Sequence, residues 1–120
     1  MFEGRFIFEW LDDGVNMQLQ NDLSYTTKDG LKITIKTGER TDGASIPRIL
    51  WSAEGSPFTG LYRKAAVLHD YLYRNGYGKN PIVDRKKADK IFYEAMLELG
   101  VGKFEAQKKY WAVRILGPKW

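Results

Sequence analysis

The chain has no cysteine, one histidine and only four prolines among its 120 residues. Without cysteine there is no disulfide, no thiolate nucleophile and no cysteine-ligated zinc, so a packed core must supply the stability. No apolar run approaches the ~18 residues that cross a bilayer as a helix. The start, Met1-Phe2-Glu3-Gly4-Arg5, lacks the basic-then-apolar pattern of a secretory signal. These absences lead to the expectation of a protein made in the cytoplasm with no transmembrane segment.

What is present is aromatic and basic. Six Phe, seven Tyr and four Trp, within an apolar fraction of 43%, suit a globule rather than a disordered segment. The length suits a single domain, residues 1–120. The net charge is +4, much of it from Lys86, Lys87, Lys90, Lys103, Lys108, Lys109, Arg114 and Lys119. At helical spacing these read first as solvated faces, with peripheral contact to anionic surfaces as the functional alternative. No nucleic-acid-binding motif accompanies them, so nucleic acid is not the expected partner.

Residues 1–37 alternate with period two. Phe6, Phe8 and Trp10 share one face, Val15, Met17 and Leu19 another, and Leu31, Ile33 and Ile35 a third. The turn sequences Asp12-Asp13-Gly14, Asn21-Asp22 and Lys28-Asp29-Gly30 separate them. This pattern predicts an antiparallel meander of three strands, or four if Leu23 to Thr26 pairs separately. Residues 38–59 lose periodicity: Asp42-Gly43 suits a turn, and Ser45 suits an N-cap for a short helix from Pro47 through Trp51. Capping explains Ser45 more simply than a nucleophilic role does.

Residues 60–120 read as three helices. The first, Leu61 to Arg74, repeats apolar residues at Leu61, Ala65, Leu68 and Leu72 and stops at Asn75-Gly76-Tyr77-Gly78, where glycines can adopt left-handed backbone. The second is capped by Asp84 and runs to Leu99, burying Ala88, Phe92, Ala95, Met96 and Leu99. The third, Phe104 to Leu116, carries Phe104, Trp111 and Ile115 on one side and ends at Gly117-Pro118. The first two are expected to pair antiparallel. Strands first and helices after, joined by an irregular Asp-Gly loop, make the fold class α+β.

The chemistry-bearing residues gather around His69 at the shoulder of the first helix's apolar stripe. Imidazole is the side chain that titrates nearest neutrality, which makes it the natural general base. It needs a carboxylate to fix its tautomer, and Asp89, one turn into the second helix, borders the buried stripe at the right end. Asp70, next to His69, and Asp42, in the glycine-containing loop, could offer oxygen ligands to a hard cation such as calcium. Water activated by His69 would then attack a polarised carbonyl or phosphoryl group.

The stretch His69-Asp70-Tyr71-Leu72-Tyr73-Arg74-Asn75, followed by Asp89-Lys90-Ile91-Phe92, resembles the prokaryotic and fungal type of secreted phospholipase A2. The resemblance implies a water-activating role for His69, calcium binding by Asp70, and bracing of the histidine by Tyr73 and Asp89. A longer resemblance runs from Thr41 to Arg114. Thr41-Asp42-Gly43-Ala44-Ser45-Ile46-Pro47, Trp51, Ala65-Ala66, His69-Asp70-Tyr71-Leu72-Tyr73, Arg85, Ala88-Asp89, Phe92, Tyr110 and Val113-Arg114 are similar to the phage and prophage family DUF1353. That similarity implies a viral origin, synthesis in a host cytoplasm, and association with a virion as an alternative location. It implies no activity.

Two readings follow. In the first, a phage-encoded hydrolase of esters, amides or phosphoesters uses His69, Asp89 and Tyr73, with Asp42 and Asp70 as ligands for calcium or another divalent cation. In the second, a non-enzymatic virion, tail-assembly or host-binding protein uses the same residues as a buried structural network.

Overall fold

The computed structural model describes residues 1–13, 16–43, 45–47 and 62–120. The chain divides into two compact units, Met1–Asp42 and Gly43–Trp120. Strands fill the first and helices the second, as an α+β chain requires. No helix among the described residues is long and apolar enough to cross a membrane.

Among its described residues the first unit holds six short strands: β1 (Phe2–Glu3), β2 (Phe8–Trp10), β3 (Met17–Leu19), β4 (Leu23–Thr26), β5 (Lys32–Ile35) and β6 (Arg40–Thr41). They form two antiparallel three-stranded sheets, β1-β4-β5 and β2-β3-β6, rather than one meander of three or four strands. The two-residue strands β1 and β6 are too short to show alternation, so period two alone could not reveal them. In β3, β4 and β5 the alternation places one face in the core, whereas in β2 Trp10 is exposed. Met17 and Leu19, Leu23 and Tyr25, and Ile33 and Ile35 are all buried. The hairpin between β4 and β5 closes with Thr27 N–H donating to Leu31 O at 2.9 Å, and Gly30 takes φ +93° in the turn.

The second unit contains α1 (Arg63–Tyr77), α2 (Arg85–Glu98) and α3 (Lys103–Leu116). Asp84 caps α2 by accepting from Lys87 N–H at 2.7 Å. At the end of α1 the left-handed residue is Lys79, φ 61°, while Gly78 keeps φ −71°. Lys79 N–H to Gly76 O and Asn80 N–H to Asn75 O close that end. The expected helix from Pro47 to Trp51 falls outside the described residues beyond Pro47.

Contacts between α1 and α2 run in opposite directions along the chain. Tyr73 and His69 meet Asp89, and the Tyr62 ring lies 6.4 Å from Phe92. That order is the antiparallel pairing predicted. α2 and α3 are antiparallel as well, with Arg85 reaching residues 113–118 and Tyr93 stacking edge-on to Tyr110 at 5.9 Å. The core-facing residues of α3 are the small Ala106 and Val113, whereas Phe104, Trp111 and Ile115 point outward. α3 therefore lies close to α2 through small side chains and leaves its large ones uncovered.

Arg85 ties the end of α3 down. Its Nη2 donates to Val113 O at 3.1 Å, Arg114 O at 3.0 Å and Gly117 O at 3.2 Å, and its Nε donates to Pro118 O at 2.9 Å. The last carbonyls of a helix have no internal partner, and a guanidinium fork supplies several donors at once. Arg85→Ala should destabilise the protein by about 2–4 kcal/mol, the loss of charged hydrogen bonds to half-buried carbonyls. Arg85→Lys should recover only part of it, because an ammonium cannot span those carbonyls. Urea unfolding of both variants measures the difference.

Candidate functional site

Successive turns of α1 send two columns of side chains in two directions. His69 and Tyr73, four residues apart, both reach Asp89 on α2. Asp70 and Arg74, also four apart, pair with each other on the neighbouring column. Residue 45 comes against both columns, and Arg114 arrives from α3. The second unit thus supplies the whole cluster from one loop residue and three helices.

Asp89 is fully buried and accepts from three donors. Its Oδ1 takes His69 Nε2 at 2.7 Å and the Tyr73 hydroxyl at 2.6 Å, and its Oδ2 takes Arg114 Nη1 at 2.8 Å. Burial alone would raise this carboxyl's pKa. The hydrogen bonds from His69, Tyr73 and Arg114 outweigh it and hold Asp89 below the usual 3.8 of an aspartate. Burial, and then the carboxylate itself, drives the Tyr73 phenol well above its ordinary range, so it stays a donor. The bond to Asp89 raises the Arg114 guanidinium further above its ordinary value.

An ionised carboxylate only accepts, so the proton on the His69–Asp89 bond resides on Nε2. In the neutral ring Nδ1 then carries a lone pair, and the Ser45 hydroxyl, 2.9 Å from that nitrogen, is placed to donate to it. The imidazole packs against the Tyr73 and Phe92 rings, with centroids 4.1 and 4.7 Å away. Hydroxyl, imidazole and carboxylate form one line of hydrogen bonds, the relation of nucleophile, base and orienting group.

Asp70 holds the same serine by its main chain. Its Oδ1 accepts Ser45 N–H at 3.2 Å, and its Oδ2 accepts Arg74 Nε at 3.1 Å. The dipeptide His69-Asp70 therefore grips Ser45 twice, once by the hydroxyl and once by the amide. The positive charge beside Asp70 comes from Arg74. Asp42, the other expected cation ligand, is the last residue of the first unit. Among the described residues no three His, Asp or Glu side chains lie together in a metal-binding group.

The sequence brought His69, Tyr73 and Asp89 together, and the structure places them in direct contact. Two members of the cluster were read otherwise. Arg114, taken as part of a solvated face, has its guanidinium on the buried Asp89. Ser45, taken as a helix cap, has its hydroxyl on His69. Both stand in the pattern that carries the longer resemblance, and that pattern was the one signal for them.

The family described as "Protein of unknown function (DUF1353)" matches residues 17–113, a span that contains Ser45, His69, Asp70, Tyr73 and Asp89. Two relatives come from Sinorhizobium fredii. "Uncharacterized protein y4jT" is 41% identical over 103 residues, 86% of this chain and 29% of the relative. "Uncharacterized protein y4iH" is 33% identical over 108 residues, 90% of this chain and 43% of the relative. The chain thus spans less than half the length of either. No solved structure matches it.

Asp89→Asn should destabilise the protein by about 3–5 kcal/mol, because the substitution strips a half-buried guanidinium and a buried imidazole of their common buried anion. Because the Asp89 pKa is lowered by folding, its stabilisation is complete above 3.8 and is lost as pH falls through the lower folded value. Chemical denaturation of wild type and Asp89→Asn across the acidic range should therefore give curves that converge as the pH drops.

Proposed function

The chain belongs to the DUF1353 family, and we propose that it is a hydrolase of esters, amides or phosphoesters centred on Ser45, His69 and Asp89. The supporting observation is the unbroken line from the Ser45 hydroxyl through the imidazole to a carboxylate held ionised by Tyr73 and Arg114. As Ser45 Oγ bonds to the substrate's acyl carbon or phosphorus, its proton passes to His69 Nδ1. Asp89 stabilises the imidazolium formed, and that proton then goes to the departing alcohol or amine. A water that gives its proton to the same nitrogen releases Ser45 in the second half of the reaction. Asp70 acts on Ser45's main chain and is a positioning residue.

This reading departs from the phospholipase A2 resemblance at two points. The bracing of His69 by Tyr73 and Asp89 agrees with it, but the group on Nδ1 is a serine hydroxyl and the charge beside Asp70 is an arginine. A divalent cation at Asp70 would have to compete with Arg74, so added calcium should not be required for turnover.

One observation favours a second reading. Ser45, His69 and Asp89 are each no more than 2% exposed, as suits a structural network in a non-enzymatic virion or host-binding protein. The two separate in a single experiment. A fluorophosphonate and a panel of chromogenic esters and phosphodiesters are offered to wild type, Ser45→Ala and His69→Ala, with melting temperatures recorded alongside. The proposal expects turnover, one adduct on Ser45, and loss of both by at least about a hundredfold in either variant, the scale of an acid–base contribution. The structural reading expects no adduct and no turnover in wild type, with a lowered melting temperature in His69→Ala.

A further inference from the structure

α3 carries two apolar faces. Ala106 and Val113 face the core of the helical unit. On the opposite side, at intervals of four, three and four, lie Phe104, Lys108, Trp111 and Ile115. Phe104 is 72% exposed, Trp111 58% and Ile115 68%. Three large apolar side chains on one solvent-facing stripe exceed the scattered exposure normal for a surface helix. The spacing is that of a heptad seam with a single lysine in it.

We propose that this stripe is an isologous dimer interface, in which α3 pairs antiparallel with α3 of a second copy about a two-fold axis passing between Lys109 and Tyr110. In that register Phe104 lies opposite Ile115 of the second copy and Lys108 lies opposite its Trp111. Symmetry repeats both pairs. The stripe is complementary to itself only in this direction, because a parallel pair would set Lys108 against Lys108. Within one chain, Lys108 Nζ already lies 5.8 Å from the centre of the Phe104 ring and 3.7 Å from Glu105. In the dimer it gains the face of a tryptophan, the ring that attracts a cation most strongly. Its charge enters the seam with an aromatic face and a carboxylate beside it.

The charges of the helix argue against a lipid surface as the occupant. An interfacial helix flanks its apolar face with cations directed at headgroups. Here Lys109 turns inward over the Tyr62 ring, 4.9 Å from its centre, and Arg114 is committed to Asp89. Fully buried aromatic side chains cover roughly 150–250 Å² each. Phe104, Trp111, Ile115 and the Lys108 stem from both copies would bury on the order of 1,000 Å², the small end of specific interfaces. The dimer is accordingly a reversible one.

The absence of cysteine makes the register directly testable. The full chain is examined by sedimentation velocity over a concentration series, and the double variant Phe104→Cys/Ile115→Cys is oxidised and its linked peptides mapped. The proposal expects a concentration-dependent dimer and disulfides joining position 104 of one copy to position 115 of the other. Eleven residues of helix hold the two positions about 16 Å apart within one chain, so the link cannot form internally. Trp111→Ala should weaken dimerisation on the order of a thousandfold, because symmetry removes a hot-spot tryptophan from both copies. Trp10→Ala, an exposed tryptophan of the other unit, should leave it unchanged. A chain that stays monomeric throughout the series overturns the proposal. Links of 104 to 104 and 115 to 115 overturn it too, as does a monomer that binds phosphatidylglycerol vesicles through Trp111.

Discussion

A carboxylate buried among three donors organises the helical unit. Leaving the Asp89 charge bare in that interior would cost several kcal/mol, so its partners cannot be omitted. His69 and Tyr73 come from α1 and Arg114 from α3, and Asp89 itself stands on α2. One ionised group therefore joins all three helices. Its demand for donors also decides the imidazole tautomer and leaves the other ring nitrogen facing Ser45. The packing of the helices and the proposed chemistry depend on the same bond.

The arrangement has a division of labour. Asp89 determines how His69 is protonated, the aromatic rings of Tyr73 and Phe92 hold the imidazole's plane, and Asp70 with Arg74 holds the Ser45 amide. Adjacent residues on one helix turn thereby grip a single loop residue by two different groups. This accounts for the His-Asp dipeptide without asking the aspartate to hold a cation. The family match spans the serine, the dipeptide and Asp89 together.

The helices were legible because they are long and periodic, and because Asp84 is a cap whose side chain bonds where a cap should. Strands of two residues left no periodic trace, so two sheets were read as one meander. Periodicity also revealed that α3 has a stripe of large apolar residues without saying which way it faces. The small Ala106 and Val113 took the core side because α3 packs close to α2 there. At the site, His69, Tyr73 and Asp89 lie on strongly patterned helices, and their spacing was readable. Ser45 and Arg114 reach the cluster across 24 and 25 residues of chain, and nothing local distinguishes them from a cap and a surface cation. Arg85 stands in the pattern of the longer resemblance, but its role at the end of α3 spans 28 to 33 residues of chain and has no local signal either.

With only one histidine in the chain, its two ring nitrogens can be observed by long-range proton–nitrogen correlation without assignment ambiguity. That spectrum tests the central claim most directly, because the claim requires a specific tautomer. A proton on Nε2 and a bare Nδ1 at neutral pH, with the pattern altered in Asp89→Asn, is the predicted result. A proton on Nδ1 in the wild-type protein would mean that His69 donates to Ser45 and cannot act as its base, and it would contradict the account.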